Sequence, residues 1–329
     1  MSSPALAAPA SGPPLLTPER PVAVAAVAQS RPPRLAIWLA FGVIYVVWGS
    51  TFLGIRVAVQ TLPPLFMAAL RFLLAGSILG VFAWVRRPQG ARWPGWREWR
   101  GATVAGALFF LGNHGFVTTA SKVLPSSLVC LIVATEVPII AVLSSLLLPN
   151  QPLTRRSLVG AALGLLGVLS LFANRGDTAN AWPVWACFAV LGASLSWSLG
   201  AVVSQRLTLP KDALTRAAMQ MLCGGVLLTL ASLLKGEPAS LTAAAFTPRA
   251  LGALAYLVLL GSVVAFACYT FLLAHVRTAA VATHVFVNPL VAVAVGAWLG
   301  GESMTLAHLV AGVFILASVC VITLGQRAT

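Results

Sequence analysis

AIWLAFGVIYVVWGSTFLGIRVAV, residues 36–59, is a continuous apolar run whose one charge, Arg56, lies near its end. About 20 apolar residues in a helix, at 1.5 Å per residue, match the ~30 Å hydrocarbon core of a bilayer. The run therefore reads as a membrane-spanning helix. Nine further runs of this kind follow, at 65–85, 101–121, 125–148, 156–173, 183–204, 214–234, 250–273, 279–299 and 305–325. They predict an all-α membrane protein of ten transmembrane helices. Gly and Pro inside the runs are no objection, since membrane helices tolerate both. The connections are short, the longest being 86–100 and 235–249, so sequential helices are expected to be mostly antiparallel neighbours. Residues 1–35, rich in Ala, Pro and Ser, read as a disordered cytoplasmic tail. The Val22–Ala28 run is short and lacks a clear basic flank, so a cleaved signal peptide is not expected.

Composition agrees with this class. Of the 329 residues, 59% are hydrophobic and 9% charged, against about 25% charged in soluble domains. The net charge of +14 invites a nucleic-acid partner, but the placement of the charges argues against one. With the N-terminus inside, fifteen Lys and Arg fall in cytoplasmic segments, including Arg86, Arg87, Arg92, Arg97, Arg100, Arg155 and Arg156. Four fall outside: Lys122, Arg175, Lys235 and Arg249. That bias places both termini in the cytoplasm. Cys130, Cys187, Cys223, Cys268 and Cys320 all lie in apolar runs without a Cys-x-x-Cys pair, and read as small apolar residues. Eight tryptophans lie near predicted helix ends or in adjoining loops, where headgroups lie. Trp48 and Trp197 do not; both fall near mid-helix.

Those two tryptophans mark a repeat. Arg71 follows Trp48 by 23 residues and Gln220 follows Trp197 by 23. Pro138 lies 90 residues after Trp48, and Pro289 lies 92 after Trp197. Gln151 and Glu302 each follow their proline by 13. The expected domains are a first five-helix repeat over 36–173 and a second over 183–325. Five is odd, so the two repeats enter the membrane from opposite sides. This is the inverted-repeat plan of many carriers, with a solute site near the midplane.

Trp48-Gly49-Ser50-Thr51-Phe52, Arg71-Phe72-Leu73-Leu74-Ala75, and Asn288-Pro289-Leu290-Val291 followed by Gly301-Glu302 resemble the marks of the EamA branch of the drug/metabolite transporter superfamily. The resemblance covers roughly 36–325. It implies a bacterial inner-membrane carrier, often an exporter, for amino acids or related metabolites. It also implies a central cavity lined mainly by helices 1, 3, 4, 6, 8 and 9. Gln151 departs from the pattern, since many relatives carry glutamate there.

An acid or base at the centre of a membrane helix costs on the order of 2.5–3.5 kcal/mol on insertion scales, so such residues are functional candidates. Glu136 lies about 11 residues, or ~16 Å, from the outer end of its run. It reads as a titratable cavity group for a substrate amine or for proton coupling, or else as a structural glutamate paired with Arg71 or bonded to another helix. Asn113 and His114 reach within ~6 Å of the same depth and read as a shared wall, against a histidine satisfied by a neighbouring backbone. His284 and Asn288, four apart on one helix face beside Pro289, read either as site residues or as a kink with interhelix packing. Trp48 and Trp197 would line the cavity symmetrically or pack between the repeats. Tyr269, with Tyr256 and Phe266, offers aromatic surface to a solute or to packing partners. Arg71, near the outer end of its run, reads as structural, snorkelling or capping helix ends, with solute contact as the alternative. Arg56 and Glu302 read as structural or gating groups near outer helix ends.

The expected activity is secondary transport of a small organic solute by alternating access, in the outward direction, with an importer on the same fold as the alternative. An amino acid, amine or aromatic metabolite suits the candidate residues. A phosphate does not, because it calls for clustered Arg or Lys. There is no acidic pair, His-Glu-x-x-His motif or Gly-rich phosphate loop, which speaks against an enzyme. No cofactor and no metal are expected. A channel would call for rings of charges or carbonyls, whereas an internal two-fold suits a carrier that functions as a monomer.

Overall fold

The computed structural model describes residues 32–87, 90, 92–148, 154–173, 182–276, 278–281, 283–302 and 306–325. The predicted tail over 1–31 and Gln151 lie outside the described residues. Among the described residues there is no strand, and the helices group into ten rods at the positions read from the sequence. They are α1 (Arg34–Ala58), α2 (Pro64–Val85), α3 (Trp96–Gly106, then π-helical Ala107–His114, then Gly115–Ala120) and α4 (Ser126–Val133 and Glu136–Leu147). Next come α5 (Arg155–Ala173), α6 (Val184–Val203) and α7 (Ala213–Leu234). Last are α8 (Pro248–Tyr256, π-helical Leu257–Val264, Ala265–His275), α9 (Thr278–Val281 and His284–Trp298) and α10 (Leu306–Gly325). Six of them, α1, α2, α4, α6, α7 and α8, are long and apolar enough to cross a bilayer.

Helix starts follow local chemistry. Pro64 opens α2 and Pro248 opens α8, positions at which the missing N–H is no loss. Asp212 accepts the Thr215 N–H and caps α7. The structure starts α3 at Trp96, five residues before the predicted 101, because Glu98 reaches back to the Gly95 N–H at 2.6 Å. In α4, Pro138 has no N–H to offer the Ala134 carbonyl, and the helix breaks at Ala134–Thr135.

Two acids from late in the chain hold early helices. Glu237 accepts the Phe66 N–H at 2.9 Å at the start of α2. Glu302 accepts the N–H groups of Ser126 and Ser127 at the start of α4.

The packing pairs rods five apart: α2 lies along α7, and α5 along α10. α1 packs against α8 and α9, while α6 packs against α3 and α4. Glycine permits the closest of these approaches. A Cβ on Gly106 of α3 would stand 2.7 Å from the Gln220 carbonyl of α7. The core holds Phe72, Leu79, Leu128 and Leu228, while Trp38, Leu165, Trp298 and Val313 are exposed. An apolar exterior on a chain this poor in charge is what lipid contact requires.

Candidate functional site

A cavity of about 600 Å³ lies among eight of the rods. Its wall includes seven of the eight residues singled out from the sequence: Trp48, Asn113, His114, Glu136, Trp197, His284 and Asn288. Tyr269 is set behind that wall. Its ring centroid is 5.2 Å from Trp48 and 5.9 Å from His284.

The break in α4 makes the polar centre. Glu136 begins the second segment of α4, and its backbone carbonyl accepts from Ser198 Oγ of α6 at 3.2 Å. Asn113, in the π-helical part of α3 and 4% exposed, donates from Nδ2 both to Glu136 Oε1 (3.2 Å) and to the Ala193 carbonyl of α6 (3.0 Å). The amide therefore fixes the carboxylate against two neighbouring helices. The predicted alternative of an ion pair with Arg71 is not formed; the ion pairs among the described residues are Arg56–Glu302, Arg92–Glu98 and Lys235–Glu237. Glu98, Asp212, Glu237 and Glu302 each accept a backbone N–H at a helix start. Of the acids described, Glu136 alone lines the cavity.

The two tryptophans are held alike, each by residues from the other part of the chain. Trp48 of α1 meets Tyr269 and the His284 ring at 5.1 Å, and donates from Nε1 to the Gly261 carbonyl in the π-helical part of α8 at 3.1 Å. Trp197 of α6 meets Phe109 at 4.7 Å and His114 at 6.5 Å, both from the π-helical part of α3. His114 also lies 4.6 Å from Phe72, and its buried Nδ1 has no partner among the described residues. His284 Nδ1 is 2.9 Å from the Val281 carbonyl. Asn288, in the orientation that satisfies its amide, donates to the carbonyls of Tyr45 and His284.

The wall also holds residues outside the predicted site, among them Arg71, for which solute contact is the lesser reading of the sequence. Arg71 does not snorkel to a helix end. It is 5% exposed, donates from Nε to Ser262 Oγ at 3.0 Å, and faces the cavity. The signal was present, since an arginine within an apolar 22-residue helix is a site candidate by its cost alone. Gln220, 23 residues after Trp197 as Arg71 is after Trp48, lines the same cavity. So α2 and α7 contribute to the wall, beyond the six helices the resemblance implied. Ser204, Gln205, Leu209 and Arg216 extend the wall to the α6–α7 connection.

A bundle of apolar helices enclosing a polar, aromatic-walled cavity has the build of a polytopic membrane carrier. The sequence pattern of the EamA-like transporter family matches residues 34–173 and again 184–324, and the chain belongs to that family. It is 37% identical to the inner membrane transporter YedA of Escherichia coli K12 over 296 residues, covering 89% of this chain and 92% of that protein. It is 26% identical over 295 residues to a "probable amino-acid metabolite efflux pump" of Salmonella typhimurium, covering 86% of this chain and 93% of the pump. A crystal structure at 21% identity superposes with a TM-score of 0.57, covering 91% of this chain and 99% of the other, and shares the fold.

Proposed function

We propose that the protein is a secondary active transporter of the bacterial inner membrane that exports amino acids or related small metabolites by alternating access. In this reading ten helices cross the bilayer as two inverted five-helix repeats, 36–173 and 183–325, and both termini are cytoplasmic. The monomer is the working unit. The observation that carries the reading is the cavity at the meeting of the two parts of the chain, with Glu136 and Asn113 in its wall. Trp48, Trp197, His114, His284, Asn288 and, behind them, Tyr269 form the rest of the substrate site. Glu136 is the candidate for proton coupling.

The names of the relatives support transport, and the efflux pump supports the outward direction. The paired packing of α2 with α7 and α5 with α10 supports the repeat. The cavity reaches the α6–α7 connection, which the distribution of Lys and Arg puts on the cytoplasmic side. Near the opposite end, Arg56, Glu302 and the start of α4 are bonded together. This arrangement suits an inward-facing state.

The test is overproduction in cells challenged with a panel of amino acids and amines. Export requires higher tolerance to at least one of them and a lower cellular level of it. Accumulation of the solute with stimulated uptake would make the protein an importer.

A further inference from the structure

We propose that Arg71 anchors the substrate carboxylate in a two-ended subsite, and that the cavity selects amino acids with large apolar side chains over the matching amines and acids. This rests on the transporter reading above and deepens it.

Arg71 is buried in α2 with its Nε on Ser262, while its Nη1 is enclosed and has no partner among the described residues. A guanidinium presents five donors in a planar fork that matches a carboxylate. Here part of that fork is unused at a cavity wall. Among the described residues no acid lies within 4.0 Å of it. Gly261 packs beside it without a side chain. A Cβ on Gly261 would stand 2.9 Å from Thr51 Cγ2 and 3.5 Å from Arg71 Nη2.

Glu136 is the complementary feature. Its described side-chain partner is Asn113, a neutral amide, so no cation among the described residues is bonded to it. Burying a charge without its partner is costly, and an unpaired guanidinium and an acid that has no cation, both on one cavity wall, ask for a ligand carrying an anionic and a cationic group. A lone anion would leave Glu136 unpaired and a lone cation would leave Arg71 unpaired. A site built to bond a group rejects the analogue that lacks it far more strongly than it rejects a change in apolar size. Phe72, Phe109, Phe110 and Trp197 provide the apolar wall, and Phe72 lies under the Arg71 guanidinium at 4.9 Å. About 600 Å³ is ample for an aromatic amino acid.

The test uses three compounds that differ in one charge each: L-phenylalanine, phenethylamine and 3-phenylpropionate. Each is titrated into the purified full-length protein and followed by tryptophan fluorescence. The wild type should bind phenylalanine at least about tenfold more tightly than either analogue. Arg71→Gln should lose that factor for phenylalanine and leave phenethylamine binding unchanged. Glu136→Gln should do the converse, sparing 3-phenylpropionate. Equal binding of the three compounds by the wild type, binding of none of them, or uniform weakening of all three by Arg71→Gln would overturn the proposal. Should Arg71→Gln not purify as a monodisperse species, the wild-type order of the three ligands decides alone. The export assay above uses the unmodified protein and a wider panel, so the transporter reading can stand when this subsite fails.

Discussion

Glu302, in the turn between α9 and α10, holds Arg56 of α1 at 2.9 Å while accepting the two N–H groups that open α4, from Ser126 at 2.6 Å and Ser127 at 3.1 Å. Ser127 Oγ adds a fourth bond at 2.7 Å. One carboxylate thus joins three elements distant in sequence. Its side chain is 3% exposed, whereas that of Arg56 is 33% exposed. The backbone bonds should therefore matter more than the ion pair.

Glu302→Ala should cost roughly 2–4 kcal/mol, because it leaves two helix-start donors unmet. Arg56→Ala should cost about 1 kcal/mol or less, as partly exposed pairs do. Thermal unfolding of both variants in detergent checks the order. Equal losses would mean that the ion pair carries the stabilisation.

The same residue sets a pH dependence. Burial works to raise the Glu302 pKa, but the hydrogen bonds from Ser127 and Ser126 outweigh it and hold the carboxyl below the ordinary carboxylate value. A depressed pKa gives stability that is complete above the unfolded value, about 4.3, and is lost as pH falls through the folded value below it. The melting-temperature gap between wild type and Glu302→Gln should therefore be widest above about pH 5 and close toward pH 3. A gap independent of pH would show that the charge is not the cause.

Orientation is checked with single cysteines in a background lacking the native five. Ala239→Cys, in the α7–α8 linker, should react with an impermeant thiol reagent in intact cells. Lys211→Cys, in the α6–α7 connection, should react only after permeabilisation. The opposite pattern would invert the topology.

Glu136→Gln and His114→Ala should each lower transport at least about tenfold while the protein still inserts and purifies, since polar groups at midplane depth are retained for function against a few kcal/mol of insertion cost. If Glu136 couples protons, Glu136→Gln should also flatten the pH profile of transport and not only scale it down. Transport like wild type in both variants would remove them from the site.

The Gly106 contact gives a packing test. Gly106→Val should be strongly destabilising, since even a Cβ there meets the Gln220 carbonyl at 2.7 Å and the neighbour is backbone. Gly42→Ala has nothing within 4 Å and should change the melting temperature little. Comparable losses in the two would show that helix propensity, and not close approach, sets the effect.

How far the sequence could be read depended on the kind of signal. The ten apolar runs were legible because bilayer thickness is a coarse ruler, and the described rods fall within a few residues of them. Trp48, Glu136 and His114 stood out because they are misfits at that depth. Arg71 was visible too, but its sequence position suits a structural role as well as solute contact; the tertiary contact with Ser262 of α8 and its place in the wall put it at the cavity. The π-helical stretches in α3 and α8 and the break in α4 were not legible. They depend on where backbone bonds go once other helices are packed alongside, and Pro138 was the only local hint.

The exchange of aromatic partners has a consequence for how this wall can change over time. Trp48 rests on Tyr269 and His284, and Trp197 rests on Phe109 and His114, so neither part of the chain owns a complete cluster. A substitution on one side alters the footing of a ring encoded some 80–240 codons away. Divergence toward a new solute is then a paired process: the two parts of the gene drift together, and a segment recombined from a relative works only when its partner's rings still fit.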